Sequence, residues 1–272
     1  MRIIIILSCI FFFACGNEPK RGIFGRVGIT MGDFTHTAGK STGESLFSSL
    51  YLHLGYTFAN QIQISSELNL GASVGDLLSG SPLVGLNSLT TLDAPKGGLN
   101  LVLEDITRVG YNLISRPFDS PLYLGSGLLT RLYTNGQANM PLVPTITATY
   151  LPLEIGGKLA LNSKWRLEYL VAYDLLLFAS TQVSGQIKEP QNLSIKKGYA
   201  LRASLGFTYH FSTKFFFHTT AVLQYENLGA SSQESVTIID TSTPGAIVGA
   251  TSTIYYPQNH TTYAGVRFGF GF

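Results

Sequence analysis

The 272-residue chain is 45% hydrophobic and only 12% charged, with a formal charge of +2. So small a positive balance excludes nucleic acid as a partner recruited by net charge. Beyond residue 15 no run reaches the ~18 apolar residues that a membrane helix requires, so a helical membrane protein is excluded too. Its 29 Gly and 14 Tyr, with few charges and no spanning helix, point instead to a transmembrane β-barrel.

The first sixteen residues read as a removable export signal. Met1-Arg2 supplies a minimal positive start and Ile3 to Ala14 an apolar core, too short to remain as a helical anchor. Two cuts fit: after Gly16, with small residues at Ala14 and Gly16, or before Cys15, where Phe12 to Cys15 resembles a loose lipobox and Cys15 becomes the lipidated N-terminus. Both cysteines of the chain lie in this segment, so the barrel domain, residues 23–272, contains no disulfide.

After residue 22 the hydrophobic pattern has period 2, the signature of strands with one apolar and one polar face. The clearest run is 199–211, where Tyr199, Leu201, Ala203, Leu205, Phe207, Tyr209 and Phe211 alternate with Arg202, Ser204, Gly206, Thr208 and His210. Ten strands are expected, at 24–34, 46–58, 61–73, 100–114, 121–134, 148–161, 165–178, 198–211, 214–227 and 261–272. Most reach the ~9–11 residues that cross a bilayer at a tilt.

Short connections (Asn60, Arg116 to Ser120, Asn162 to Lys164, Ser212-Thr213) alternate with long ones (35–45, 74–99, 135–147, 179–197, 228–260). That is the turn-and-loop rule of bacterial outer-membrane barrels, and it puts both termini in the periplasm. The last long connection contains VTIID and AIVGATSTIYY around Ser242 to Gly245, read as a hairpin projecting above the membrane; eight and twelve strands are the alternative counts. Loop 74–99 is apolar at Leu77, Leu78, Leu83, Val84 and Leu86, so it folds into the lumen or touches a partner.

The chain ends with Ala264, Val266, Phe268, Phe270 and Phe272 alternating with Gly265, Arg267, Gly269 and Gly271. Here the sequence resembles the bacterial outer-membrane β-barrel superfamily, in which a last strand ending in Phe is the assembly signal. PLYLGSGL (121–128) and YLPLEIGGKL (150–159) look like strand openings of small OmpA-like or OmpW-like barrels. The resemblance implies Phe268, Phe270 and Phe272 as the signal read by the barrel-assembly machinery, the outer-membrane bilayer as the surroundings, and extracellular ligands met through loops 74–99 and 228–260. It identifies a fold and a place, not an activity.

Alternation assigns the strand charges to the inside. The cations are Arg26, Arg108, Arg131, Lys158, Arg166, Arg202 and Arg267; the anions are Glu67, Glu104, Glu154, Glu168, Asp174 and Glu226. Seven against six nearly cancel, and an unpaired charge in a narrow interior is costly, so they are expected to pair across the lumen. Asp105 faces outward, toward the outer end of its strand. Trp165, Phe58, Phe211, Phe215 and Tyr209 cluster at strand ends as an interfacial girdle.

No catalytic, metal or cofactor constellation is expected. His210-Phe211-Ser212 resembles the His-x-Ser arrangement of lipid A deacylase barrels but falls on a tight turn at the periplasmic end. The strand count resembles that of the omptin proteases, whose Asp-Asp and Asp-His rim pairs are missing here; Glu104-Asp105 is the acid doublet. His36 and His260 fall in outer loops, Asp33 near the first, and His53 and His218 point inward. None has metal-ligand spacing.

The expected product is a plugged, non-enzymatic surface scaffold, with a small-solute pore as the alternative and an enzyme acting on lipid A or peptides behind both. Removing Phe272 is expected to impair membrane assembly, measured as loss of the heat-modifiable folded band; normal insertion without it would contradict the reading of the C-terminus.

Overall fold

The structure, a computed structural model, describes residues 22–39, 41–75, 98–114, 120–135, 142–185, 187–212, 215–237, 239, 249 and 251–272. The proposed signal segment, Cys15 and residues 76–97 of the apolar loop lie outside them.

The described chain is all β: β1 (Gly22–Ala38), β2 (Ser41–Thr57), β3 (Ile62–Gly75), β4 (Gly98–Ile114), β5 (Ser120–Asn135), β6 (Leu142–Ala160), β7 (Trp165–Gly185), β8 (Gln191–Ile195), β9 (Gly198–His210), β10 (Phe216–Leu228), β11 (Glu234–Thr237), β12 (Thr251–Ile254) and β13 (Asn259–Gly271). Ten of these, β1 to β7 with β9, β10 and β13, form one antiparallel sheet whose order closes on itself through β1 and β13. Closure satisfies every ladder amide without an exposed edge, the condition for backbone surrounded by lipid. Phe272 extends the seam: its amide donates to the Gly25 carbonyl (2.9 Å) and the Gly25 amide to its carbonyl (3.0 Å).

Glycines face one another across the seam. Gly28 faces Gly269 and Gly32 faces Gly265 in the β1–β13 register. A Cβ on Gly269 would collide with the Val27 carbonyl, and one on Gly265 with both the Tyr263 ring and the Met31 carbonyl. These close backbone approaches have no room for a side chain.

The outer face is apolar between two aromatic belts. At the end where Gly22 and Phe272 lie (the terminus end), Phe58, Trp165, Phe211 and Phe215 are exposed, with Tyr209 packed on Trp165 (4.9 Å) and Phe211 (5.1 Å). Toward the loop end Tyr173 stacks on Tyr199 (5.9 Å), which meets Tyr225 (6.2 Å). Tyr199 and Tyr209 are ten residues apart on β9, ~33 Å of strand. At the usual ~40° tilt this spans ~25 Å, the height of an outer-membrane apolar band. Leu201, Leu205 and Phe207 lie between them, exposed.

Two expected loops are instead paired strand. Residues 35–38 and 41–45 continue β1 and β2 in register from Thr35↔Glu44 to Ala38↔Ser41, and Gly39 has a φ of 60° that suits glycine. Of residues 179–197, those to Gly185 extend β7 and Gln191–Ile195 form β8; β7 pairs with β9 up to Leu175 and then with β8 from Ala179 to Val183. A register shift on this strand leaves both Leu177 and Phe178 facing out and turns Ala179, Thr181 and Val183 inward. The alternation that marks a strand is broken there, so its continuation reads as loop.

His36 and His260, expected in loops, are therefore strand residues of β1 and β13. Between β10 and β13, β11 and β12 form the expected hairpin. It stacks on the β7–β8 hairpin around a small core of Val183, Ile187, Leu193, Val236 and Ile254. Main-chain bonds Lys188 N–H to Thr237 O (2.9 Å) and Ser232 N–H to Ser194 O (2.7 Å) tie the two together. The barrel thus carries a built crown at its loop end.

Gly269→Leu is expected to block closure, read as loss of the heat-modifiable band; a normally closed barrel would show that the seam has slack.

Candidate functional site: the barrel lumen

Most of the cations and anions assigned inward by alternation are buried in the lumen, where their ion pairs form two groups, the larger one joined through Asn69. Arg202 clamps Asp174 with two bonds (Nε 2.7 Å, Nη2 2.9 Å) and donates to Glu154 (2.9 Å). The same Glu154 oxygen accepts from Arg108 (2.9 Å), which also donates to Glu67 (2.7 Å). Arg267 joins Glu67 at 3.1 Å and lies flat over the Tyr51 ring, 3.8 Å from its centroid.

Asn69 carries the path onward by donating to both Glu67 and Glu104 (3.2 Å each). Glu104 accepts from Arg131 (2.7 Å), whose other arm donates to Glu226 (3.1 Å), and the Tyr150 hydroxyl donates to that same Glu226 oxygen (2.7 Å). A second group sits toward the terminus end. Arg26 holds Glu168 through two nitrogens (2.7 and 2.8 Å), Thr208 donates to it, and Lys158 stands 4.0 Å away. Arg166 contacts the His210 ring nitrogen at 2.6 Å.

Such pairing is what makes the interior tolerable, because the most deeply desolvated charges are met by ones of opposite sign and by further hydrogen bonds. Alternation found the charges and Thr208 but not the other neutral connectors, Asn69, Tyr150 and Gln224, which accepts from Arg131 at 3.4 Å. The available signal was their inward parity on strands that already carried network charges.

Toward the loop end the lumen is filled by rings. Phe34 packs against Phe47 (6.0 Å), Tyr133 (5.8 Å) and Tyr263 (6.5 Å), and Phe47 against Tyr263 (5.3 Å). Ile106, Leu129, Ile146 and Leu228 complete this packed layer, and Tyr256, from the segment between β12 and β13, closes over it. The Tyr256 hydroxyl and that of Thr261 bond the two ring nitrogens of His36 (2.9 and 2.8 Å). His36 is thus a buried strut of the mouth. Nor do His210 and Ser212 form a pair: the histidine meets Arg166, and Ser212 Oγ accepts the Phe215 amide (3.1 Å).

Toward the terminus end a cavity of about 150 Å³ remains, lined by Arg26, His53, Ser65, Tyr123, Glu154, Lys158 and His218 among others. The lumen therefore has two halves, a packed aromatic layer and a polar chamber, with the ion-pair path running between them. Asp105 is the outward exception: it is exposed, hydrogen-bonded to Ser66 and paired in register with Thr130.

Arg131→Ala leaves Glu104 and Glu226 buried without their cation and is expected to cost about 3–5 kcal/mol, read as a lower urea midpoint of the folded barrel. Adding Glu104→Gln and Glu226→Gln is expected to recover much of it.

No family model and no curated protein matches the chain. Among solved structures it is similar to the outer membrane protease OmpT of Escherichia coli, at 10% identity and a TM-score of 0.56 over 94% of this chain and 99% of that one. The translocator domain of the autotransporter NalP of Neisseria meningitidis aligns at 13% identity and a TM-score of 0.44, over 98% and 93%. The attachment invasion locus protein Ail of Yersinia pestis aligns at 9% and 0.30, over 92% and 99%. The likeness to OmpT is one of fold: this chain, too, is a closed antiparallel β-barrel, here of ten strands with an apolar outer face between two aromatic belts.

Proposed function

We propose that this barrel is a closed, non-enzymatic scaffold that acts through its crown, with both termini in the periplasm and the loop end outside the cell. The observation that carries the reading is the packed layer of Phe34, Phe47, Tyr133 and Tyr263 under Tyr256, all buried inside the barrel. A ten-strand barrel is little wider than one that side chains just fill, and here rings and long ion-paired arms fill its loop-end half. The crown fits the display role: two hairpins joined by their own apolar core hold a defined surface beyond the apolar band. Extracellular partners would meet it through residues 228–260 and 74–99. Phe268, Phe270 and Phe272, aligned on the outer face of the seam strand, would be read by the assembly machinery.

The polar chamber favours one second reading, a conduit for small solutes that opens when Tyr256 and the rings beneath it move aside. Planar-bilayer recording separates the two. The refolded barrel is expected to be silent, and replacing residues 234–254 by a short turn to abolish surface binding while the barrel still folds. Stable conductance steps whose ion selectivity changes in Arg131→Gln or Glu154→Gln would establish the conduit instead.

A further inference from the structure

The chamber at the terminus end collects most of the unsatisfied polar atoms in the described barrel. Arg26 Nε, His53 Nε2, Ser65 Oγ, Tyr123 OH, Glu154 Oε2 and both ring nitrogens of His218 are buried without a hydrogen-bond partner, and all six residues line this one cavity. Buried polar groups are ordinarily satisfied, so their convergence marks a space built around a polar occupant. At ~30 Å³ per water the cavity holds about five, enough for one small solute.

The chemistry of the lining selects its charge. Except for Glu154 Oε2, each free atom belongs to a group that donates a hydrogen bond or can do so. Of the charged groups around the cavity, Arg26, Arg108, Lys158 and Arg267 outnumber Glu67, Glu154 and Glu168. The surplus has an address. Glu168 is already held by both arms of Arg26, so Lys158, 4.0 Å off and with its side chain 45% exposed, has the longest ion pair among the described lumen residues. His53 and His218 line the same cavity as Arg26 and Lys158. Gly156, between Glu154 and Lys158 on the inward side of β6, contributes no side chain to occupy the space.

We propose that the chamber is a binding site for a small oxyanion of the phosphate or carboxylate class, entering from the terminus end and seated among Lys158, Arg26, His53 and His218. Lys158 supplies the point charge, Arg26 its remaining N–H, and the two imidazoles directional donors. Glu154, neutralised by Arg108 and Arg202, turns its free oxygen to the occupant's hydration water. The site does not depend on the scaffold reading; it requires only that the chamber be open from one end.

Titration calorimetry on the refolded, heat-modifiable barrel tests this, with inorganic phosphate and acetate as separate probes and ¹⁵N imidazole spectra as a second readout. Saturable binding of either probe is expected, shifting the His53 and His218 ring signals and weakening at least tenfold in Lys158→Gln. The better-bound probe distinguishes phosphate from carboxylate. Should Lys158→Gln fail to fold, His218→Gln serves, with its own signal gone and binding weakened. Heatless titrations with unmoved imidazole signals, or equal affinity in both variants, would overturn the proposal and leave a chamber filled by water.

Discussion

The hydrogen-bond ladder between β1 and β13 is the constraint on which everything else rests. Backbone in lipid has no other partner than backbone, so the first and last strands must meet. They do so across facing glycines, where a side chain would push the two carbonyl rows apart. Closing ten strands fixes the interior width, and that width decides what the inside can be. It is too narrow for free water along its length and too polar to be left empty.

The inward charges follow from that width. Several arginines reach across to non-neighbouring strands, Arg26 to Glu168, Arg131 to Glu226 and Arg267 to Glu67 among them. The network therefore braces the cylinder against flattening as well as neutralising itself. Where the charges end, the aromatic layer begins, and the crown's closing segment completes it through Tyr256 and His36. Apolar packing seals one half, and in the other the same polar groups stand around a cavity. One end of the molecule is consequently closed by packed rings, and the other holds the polar chamber.

Much of this was legible in the sequence because strand alternation is a local rule. Parity alone put Arg131, Glu226 and the rest inside, and the closing run from Ala264 to Phe272 announced the seam strand. What escaped depended on irregularity or on distance. The shift at Leu177-Phe178 reversed parity in mid-strand and made the upper part of β7 read as loop. The polar stretch 35–45 has no lipid to demand alternating apolar residues, so its pairing above the band left no hydrophobic signature. The chamber was invisible for a third reason: it is made by side chains from many strands, and no single segment records the empty space among them.

Two-sided thiol labelling tests the central claim, that the lumen is sealed at the loop end and open at the other. Residues 22–272 contain no cysteine, so a single one at Ser204 in the chamber or at Ser45, buried above it, is a unique reporter. In oriented proteoliposomes, an impermeant thiol reagent should modify the Ser204→Cys barrel from the terminus side alone and leave Ser45→Cys unmodified from either side. Modification of Ser204→Cys from the loop side would show a continuous aqueous path and contradict the account.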